Sequence, residues 1–233
     1  MTSLFENDYR ALVIGANGAI GRAFTSALQR DPRCVLVEQV SRANSSGFDL
    51  RDESSIAAQA QACSGAGPYH LIVEATGALT IDGVGPEKSL AALKPDLLTK
   101  AFQLNAIGPV MALRHFAPLL APGPSIYAKL SARVGSIADN HRGGWYGYRA
   151  SKAALNMLLQ TAAIELQRKN AQLRVVALQP GTVRSELSRP FSAGVATLLE
   201  PVESVAGMLA ALQNLRPRPG AHFIDYQGRE IPW

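Results

Sequence analysis

The chain is short of cysteine. Cys34 and Cys63 are the only two among 233 residues. That is too few for a disulfide framework, so reduced thiols in a cytoplasmic protein are the expectation. It also lacks any uncharged apolar run near the ~20 residues that span a bilayer, which argues against a membrane protein. The first ten residues contain Glu6 and Asp8 and no apolar core, so they do not read as a signal peptide. No run of Lys or Arg stands out, although 23 basic residues against 18 acidic ones leave a net charge of +5. A modest, spread positive balance suits an anionic cofactor better than nucleic acid. There is no internal repeat, no low-complexity linker and no expected metal site.

What is present is alternation. A 47% hydrophobic fraction and this length fit one α/β domain over residues 1–233, with a large core. Arg10 to Ile14 reads as a buried strand, followed by a helix through Leu28. Further strands are expected at Cys34–Val40, Tyr69–Glu74, Pro124–Leu130, Leu173–Leu178 and His222–Tyr226. Helices are expected at Glu53–Cys63, from Pro95 to about Leu120, at Tyr146–Lys169 and at Glu203–Leu215. Strands alternating with helices predict a Rossmann-type, doubly wound parallel sheet with helices on both faces. Ligands of such sheets lie beyond the C-terminal ends of the strands.

Between the first strand and its helix stands Gly15-Ala16-Asn17-Gly18-Ala19-Ile20-Gly21. Strand, glycine turn and helix together point to dinucleotide binding. The glycines let the backbone approach a pyrophosphate, and the helix N-terminus offers free N–H groups and a positive dipole end. Tyr148 and Lys152 form the second constellation. Four residues apart on a helix, they share one face. A free phenol titrates near 10, and a neighbouring ammonium favours the phenolate. A ~3-unit lowering asks for ~4 kcal/mol, within reach of a close, partly desolvated pair. Such a tyrosine can exchange a proton with a carbonyl or alcohol oxygen.

With these residues in view the chain resembles the short-chain dehydrogenase/reductase family over nearly its whole length, and within it the C-factor/sniffer-like carbonyl reductases. Ile14, Gly15, Ala19 and Gly21 match the family's first turn, with Ile14 for its threonine and Ala19 for its middle glycine. Asn105 in Asn-Ala-Ile-Gly-Pro matches the family's helix asparagine, and Pro180-Gly181-Thr182-Val183-Arg184-Ser185 its loop beside the nicotinamide, with Ser185 for a threonine. Gly135-Ser136-Ile137, Gly143-Gly144-Trp145, Tyr148-Arg-Ala-Ser-Lys152 and Asp225-Tyr226-Gln227-Gly228 carry the closer likeness.

The resemblance implies roles. Tyr148 would be the proton donor, Lys152 would lower its pKa and hold the nicotinamide ribose, and Asn105 would support a water chain to Lys152. The family's serine pair is here Ser131-Ala132, so its catalytic hydroxyl is missing; Ser136 is favoured over Ser131 as its replacement. Glu74-Ala75-Thr76-Gly77 stands for the family's Asn-Asn-Ala-Gly. Cofactor contacts are expected from Gly15, Asn17, Gly18, Ala19, Ile20, Gly21, Arg42, Asp49, Leu50, Ala75, Thr76, Gly77, Tyr148, Lys152, Pro180, Gly181, Val183 and Ser185. Ser41-Arg42 at the end of the second strand replaces the acidic residue of NAD sites. An arginine fork there suits a 2′-phosphate and favours NADPH over NADH, or else Arg42 is a solvated loop residue. Asp49 is either an adenine contact or a helix cap. Residues 77–85 and 184–197 read as loops near the site, with Phe191 a candidate lid and Trp145 and Tyr146 candidate pocket residues. His115 reads as core or interface and His141 as solvated. Trp233 is a candidate for a subunit boundary in a homodimer or homotetramer. Two functions compete: an NADPH-dependent reductase of a small ketone, aldehyde or quinone, and a regulatory or signalling protein that binds the dinucleotide with little chemistry.

Overall fold

A computed structural model describes residues 3–45, 47–191 and 197–233, without the side chain of residue 191. Six strands, β1 (Tyr9–Ile14), β2 (Cys34–Val40), β3 (Leu71–Glu74), β4 (Ser125–Leu130), β5 (Leu173–Gln179) and β6 (His222–Asp225), form one sheet in the order β2-β1-β3-β4-β5-β6. Every pairing is parallel. This is the expected doubly wound arrangement.

Side-chain alternation explains the layering. Leu12, Ile14, Ile72 and Tyr127 face one core with Ile56, Phe116, Leu155 and Leu159. These last four belong to α2 (Glu53–Cys63), α4 (Gly108–Phe116) and α5 (Tyr146–Gln167). Ala11, Val13, Val73 and Ile126 face the other core with Phe24, Leu28, Val205 and Met208, from α1 (Ala19–Gln29) and α6 (Pro201–Asn214). Among the described residues no helix is long and apolar enough to cross a membrane.

One expected helix is interrupted. The stretch from Pro95 divides into α3 (Pro95–Phe102), a π turn (Gln103–Ile107) and α4, closing in a short 3₁₀ turn at Ala117–Leu119. An extra residue in a helical turn widens it and turns its side chains. Asn105 sits in that turn, fully buried. Its side chain is held there by backbone partners described below.

The strand ends line up. Ile14 pairs with Val40 and with Glu74, and Glu74 pairs with Lys129. The segments that leave these ends therefore start at one level, and the site is built from them.

Candidate active site

The turn after β1 is tied to β2, where Val40 O accepts from Gly15 N at 2.7 Å and Ala16 N at 3.2 Å. A Cβ on Gly21 would lie 2.1 Å from Gly15 O, so only glycine lets α1 start so close to the turn. α1 has Gly18 as its N-cap, no side-chain cap and no acid in its first turn. Its leading N–H groups, on Ala19, Ile20 and Gly21, are thus available to an anion.

Beyond this turn lies a cavity of about 520 Å³. It is lined by Gly15, Asn17 and Gly18, by Ser41, Arg42 and Ala43, by Phe48 to Arg51, by Ala75 to Ala78, and by Leu104. These surroundings fit an extended, anionic dinucleotide: two guanidinium groups and apolar walls, next to the N-terminus of α1, although Ala19, Ile20 and Gly21 themselves are not part of the lining. Nine of the residues expected for the cofactor line this cavity. Asp49 is spoken for, because its carboxylate accepts from Arg51 Nε at 3.0 Å on both oxygens. That pairing leads the causes that hold its pKa below the ordinary value. The helix-cap alternative for Asp49 does not hold: the N-cap of α2 is Asp52, whose carboxylate accepts from Ser54 N at 2.9 Å.

A second, much smaller cavity of about 20 Å³ is lined by Tyr148, Asn105, Glu87, Leu79, Ala101 and their neighbours. Ala78 belongs to both cavities. Asn105 fixes Ala78 in both directions, accepting from its N–H at 2.8 Å and donating to its carbonyl at 2.9 Å. The amide is thereby consumed in holding the loop after β3, with a long contact to Ser151 Oγ at 3.4 Å. Its expected water chain would have to start from other atoms of the π turn.

Tyr148 and Lys152 share the inner face of α5. The Lys152 ammonium lies 5.7 Å from the Tyr148 ring centroid. It donates to Leu130 O at 3.2 Å. The start of α5 is clasped by a residue that carries no sequence pattern, Glu87. Its carbonyl accepts from Trp145 N at 2.5 Å and its carboxylate from Gly147 N at 3.0 Å. A carboxylate at a helix N-terminus satisfies a free donor and complements the dipole. Trp145, the N-cap, adopts φ 55°, and its ring meets Tyr148 edge-on at 6.1 Å.

The family described as short chain dehydrogenase matches residues 9–196. The chain belongs to that family. It is 38% identical over 137 residues to C-signal of Myxococcus xanthus, covering 58% of this chain and 78% of that protein. It is 30% identical over 188 residues to 1-hydroxy-2-glutathionyl-2-methyl-3-butene dehydrogenase of Rhodococcus sp. (strain AD45), covering 80% and 79%. A Burkholderia multivorans protein described among short-chain dehydrogenases/reductases, solved with bound NADP, superposes with TM-score 0.79 at 25% identity over 97% of this chain and all of that one. NADPH-bound carbonyl reductase from chicken fatty liver superposes with TM-score 0.84 at 22% identity, over 97% and 95%; that likeness is one of fold.

This short-chain dehydrogenase departs from the family pattern at the serine, where Ala132 follows Ser131, and its phenol departs from the lowering expected from Lys152. The expected lowering of Tyr148 is absent: burial pushes its phenol up to about 12. Lys152 is itself held well below its ordinary value, first by burial and then by the charge of Lys129, with Glu74 opposing. Desolvation penalises the phenolate, and an ammonium that is reluctant to keep its own proton offers little compensation.

Neither serine supplies the missing hydroxyl to Tyr148. Ser131 Oγ donates to Asn156 Oδ1 at 2.6 Å, one turn beyond Lys152 on α5. Ser136, the favoured replacement, accepts from Asp139 N at 3.0 Å inside its own loop. Alternation along β4 turns Ser131 inward toward α5, and the tight turn at Arg133–Gly135 keeps Ser136 local. Pro180, Gly181, Val183 and Ser185, in the loop after β5, line neither cavity: Ser204 Oγ donates to Pro180 O, Gly181 adopts φ 78°, Val183 bridges to Leu199, and Ser185 bonds Ser188. The Phe191 side chain and residues 192–196, at the end of this loop, lie outside the described residues.

Proposed function

We propose that this chain reduces a small carbonyl compound to an alcohol with NADPH. The observation that carries the reading is the placement of Tyr148, with Lys152 behind it, on a cavity that shares Ala78 with a cleft shaped for a dinucleotide. In this reading the α1 N-terminus takes the pyrophosphate and Arg42, beside Ser41, takes the 2′-phosphate. Lys152 would hold the nicotinamide ribose, and the loop Pro180–Ser185 would stand beside the nicotinamide. The nicotinamide supplies the hydride. Tyr148 donates the proton to the carbonyl oxygen, and a phenol at about 12 keeps that proton until a developing alkoxide takes it. The apolar walls from Leu79, Val84 and Leu97 favour uncharged substrates. The NADP and NADPH carried by the Burkholderia and chicken proteins support the cofactor choice, and the Rhodococcus dehydrogenase supports an oxidoreductase. A homodimer or homotetramer is part of the reading, checked by light scattering.

A second reading has its own support. Ala132 leaves the carbonyl without a hydroxyl partner, and C-signal is among the relatives. Here the chain binds NADPH and reports its binding without turnover. Purified protein with NADPH, NADH and a panel of ketones, aldehydes and quinones separates the two. Turnover that falls roughly 10²- to 10⁴-fold in Tyr148→Phe, with Arg42→Ala raising KM for NADPH far more than for NADH, supports the reductase. Tight NADPH binding with no turnover across the panel supports the second reading and refutes the first.

A further inference from the structure

The centre of the sheet holds an ion pair that neither reading uses. Glu74 and Lys129 are register partners on β3 and β4, both 0% exposed. Lys129 Nζ lies 3.3 Å from Glu74 Oε1. It also donates to Thr76 O at 2.6 Å and Thr76 Oγ1 at 3.0 Å. Thr76 Oγ1 donates onward to Glu74 Oε1 at 2.7 Å, and Tyr127 OH donates to Glu74 Oε2 at 2.8 Å. A buried pair of this kind rarely stabilises a fold more than apolar residues of the same volume. Its value must therefore be sought in what it touches.

It touches the floor of the cleft. Thr76 and Gly77 line the large cavity. On the other side of the Thr76–Gly77 peptide stands Lys152: a Cβ on Gly77 (φ 147°) would lie 3.4 Å from Lys152 Nζ and 3.3 Å from Asn105 Oδ1. Lys152 in turn donates to the carbonyl of Leu130, the residue after Lys129. Two ammonium groups thus flank one peptide unit. The charged and titratable groups facing Lys152 are Lys129 from β4, Glu74 from the end of β3, and Tyr148 from its own helix. Asn105 from the π turn is neutral.

We propose that the Glu74–Lys129 pair is a positioning device for Lys152, fixing the Thr76–Gly77 peptide beside it and setting how readily Lys152 holds its proton. The pair acts through Lys152 and touches no reacting atom. Its effect has a sign. Of its two members Lys129 outweighs Glu74 in the field at Lys152, and it disfavours the proton there. Removing Lys129 alone leaves the Glu74 charge to attract the proton, while removing Glu74 alone leaves Lys129 to repel it. This inference rests on Lys152 being part of the proposed site, but its first measurement needs no turnover.

Protein labelled with ¹³C at lysine Cε reports each ammonium by its shift against pH, with the Lys152 signal assigned by its loss in Lys152→Arg. The Lys152 midpoint moves up in Lys129→Gln and down in Glu74→Gln. Each single variant leaves a lone buried charge, so the deciding protein is Glu74→Gln with Lys129→Gln. There the midpoint rises, and the alkaline limb of kcat/KM moves with it. An unmoved midpoint in the double variant overturns the proposal, whatever the stability of the single ones. An enzyme that turns over no carbonyl, yet shows the shift, leaves this inference standing and removes the reductase reading instead.

Discussion

Glu87→Ala tests how Tyr148 is held. The substitution removes the acceptor for Gly147 N–H at 3.0 Å and the negative charge at the start of α5. Losing a capping acceptor costs about 1 kcal/mol, and losing the charge at the helix N-terminus costs ~0.3–1 kcal/mol. Glu87 is half-buried, so solvent screens part of the second contribution, and the sum is about 1–2 kcal/mol. In a chain of this length that lowers Tm by roughly 3–6 °C. The bond from Trp145 N to the Glu87 carbonyl survives, so the loop stays attached and α5 frays by a turn rather than detaching. Tyr148 is the next residue along. A displacement there of a fraction of an ångström lowers kcat by roughly 10- to 100-fold, while binding of NADPH, measured by fluorescence, stays near wild type. Glu87→Gln keeps an oxygen acceptor and recovers most of kcat but not the charge contribution to Tm. An alanine variant with unchanged kcat and unchanged Tm refutes the clasp. A glutamine variant as slow as alanine shows that the hydrogen bond is not what holds the helix.

Two further outcomes are expected. Ala132→Ser restores the hydroxyl that the family places after this strand, and it raises kcat by roughly 10- to 100-fold in the carbonyl assay; no change removes that position from the chemistry. His222, 4% exposed and pushed down to about 4 by burial and the Arg218 charge, is neutral in the fold while the unfolded chain protonates near 6.5. The unfolded state therefore binds more protons between about 4 and 6.5, and stability is lost as pH falls through that window. From pH 7 to 5 this contributes about 2 kcal/mol, and the drop in Tm over that range is smaller in His222→Gln than in wild type.

The sheet and its helices were legible because their signals are local: apolar runs, glycine turns and a 3.6-residue period. The lining of the large cavity was legible for the same reason, since Gly15 to Gly21 and Ser41-Arg42 follow strands directly. The surroundings of Tyr148 were less so. The π turn at Asn105 has no pattern to betray it, because the apolar period passes through it almost unbroken. Glu87 lies in a loop, and its partner at Gly147 is 60 residues away. The state of Tyr148 could not follow from its spacing to Lys152, which sets proximity but not solvation. Glu74 and Lys129 lie 55 residues apart, and only the register shows that they answer one another.

Ala78 belongs to the walls of both cavities, and the Asn105 amide holds both its N–H and its carbonyl. The large cavity and the small one beside Tyr148 thus meet at one clamped residue. Neither can be reshaped privately. In the proposed reading, a bulkier side chain at that point would press on both, and substrate choice and cofactor affinity would change together.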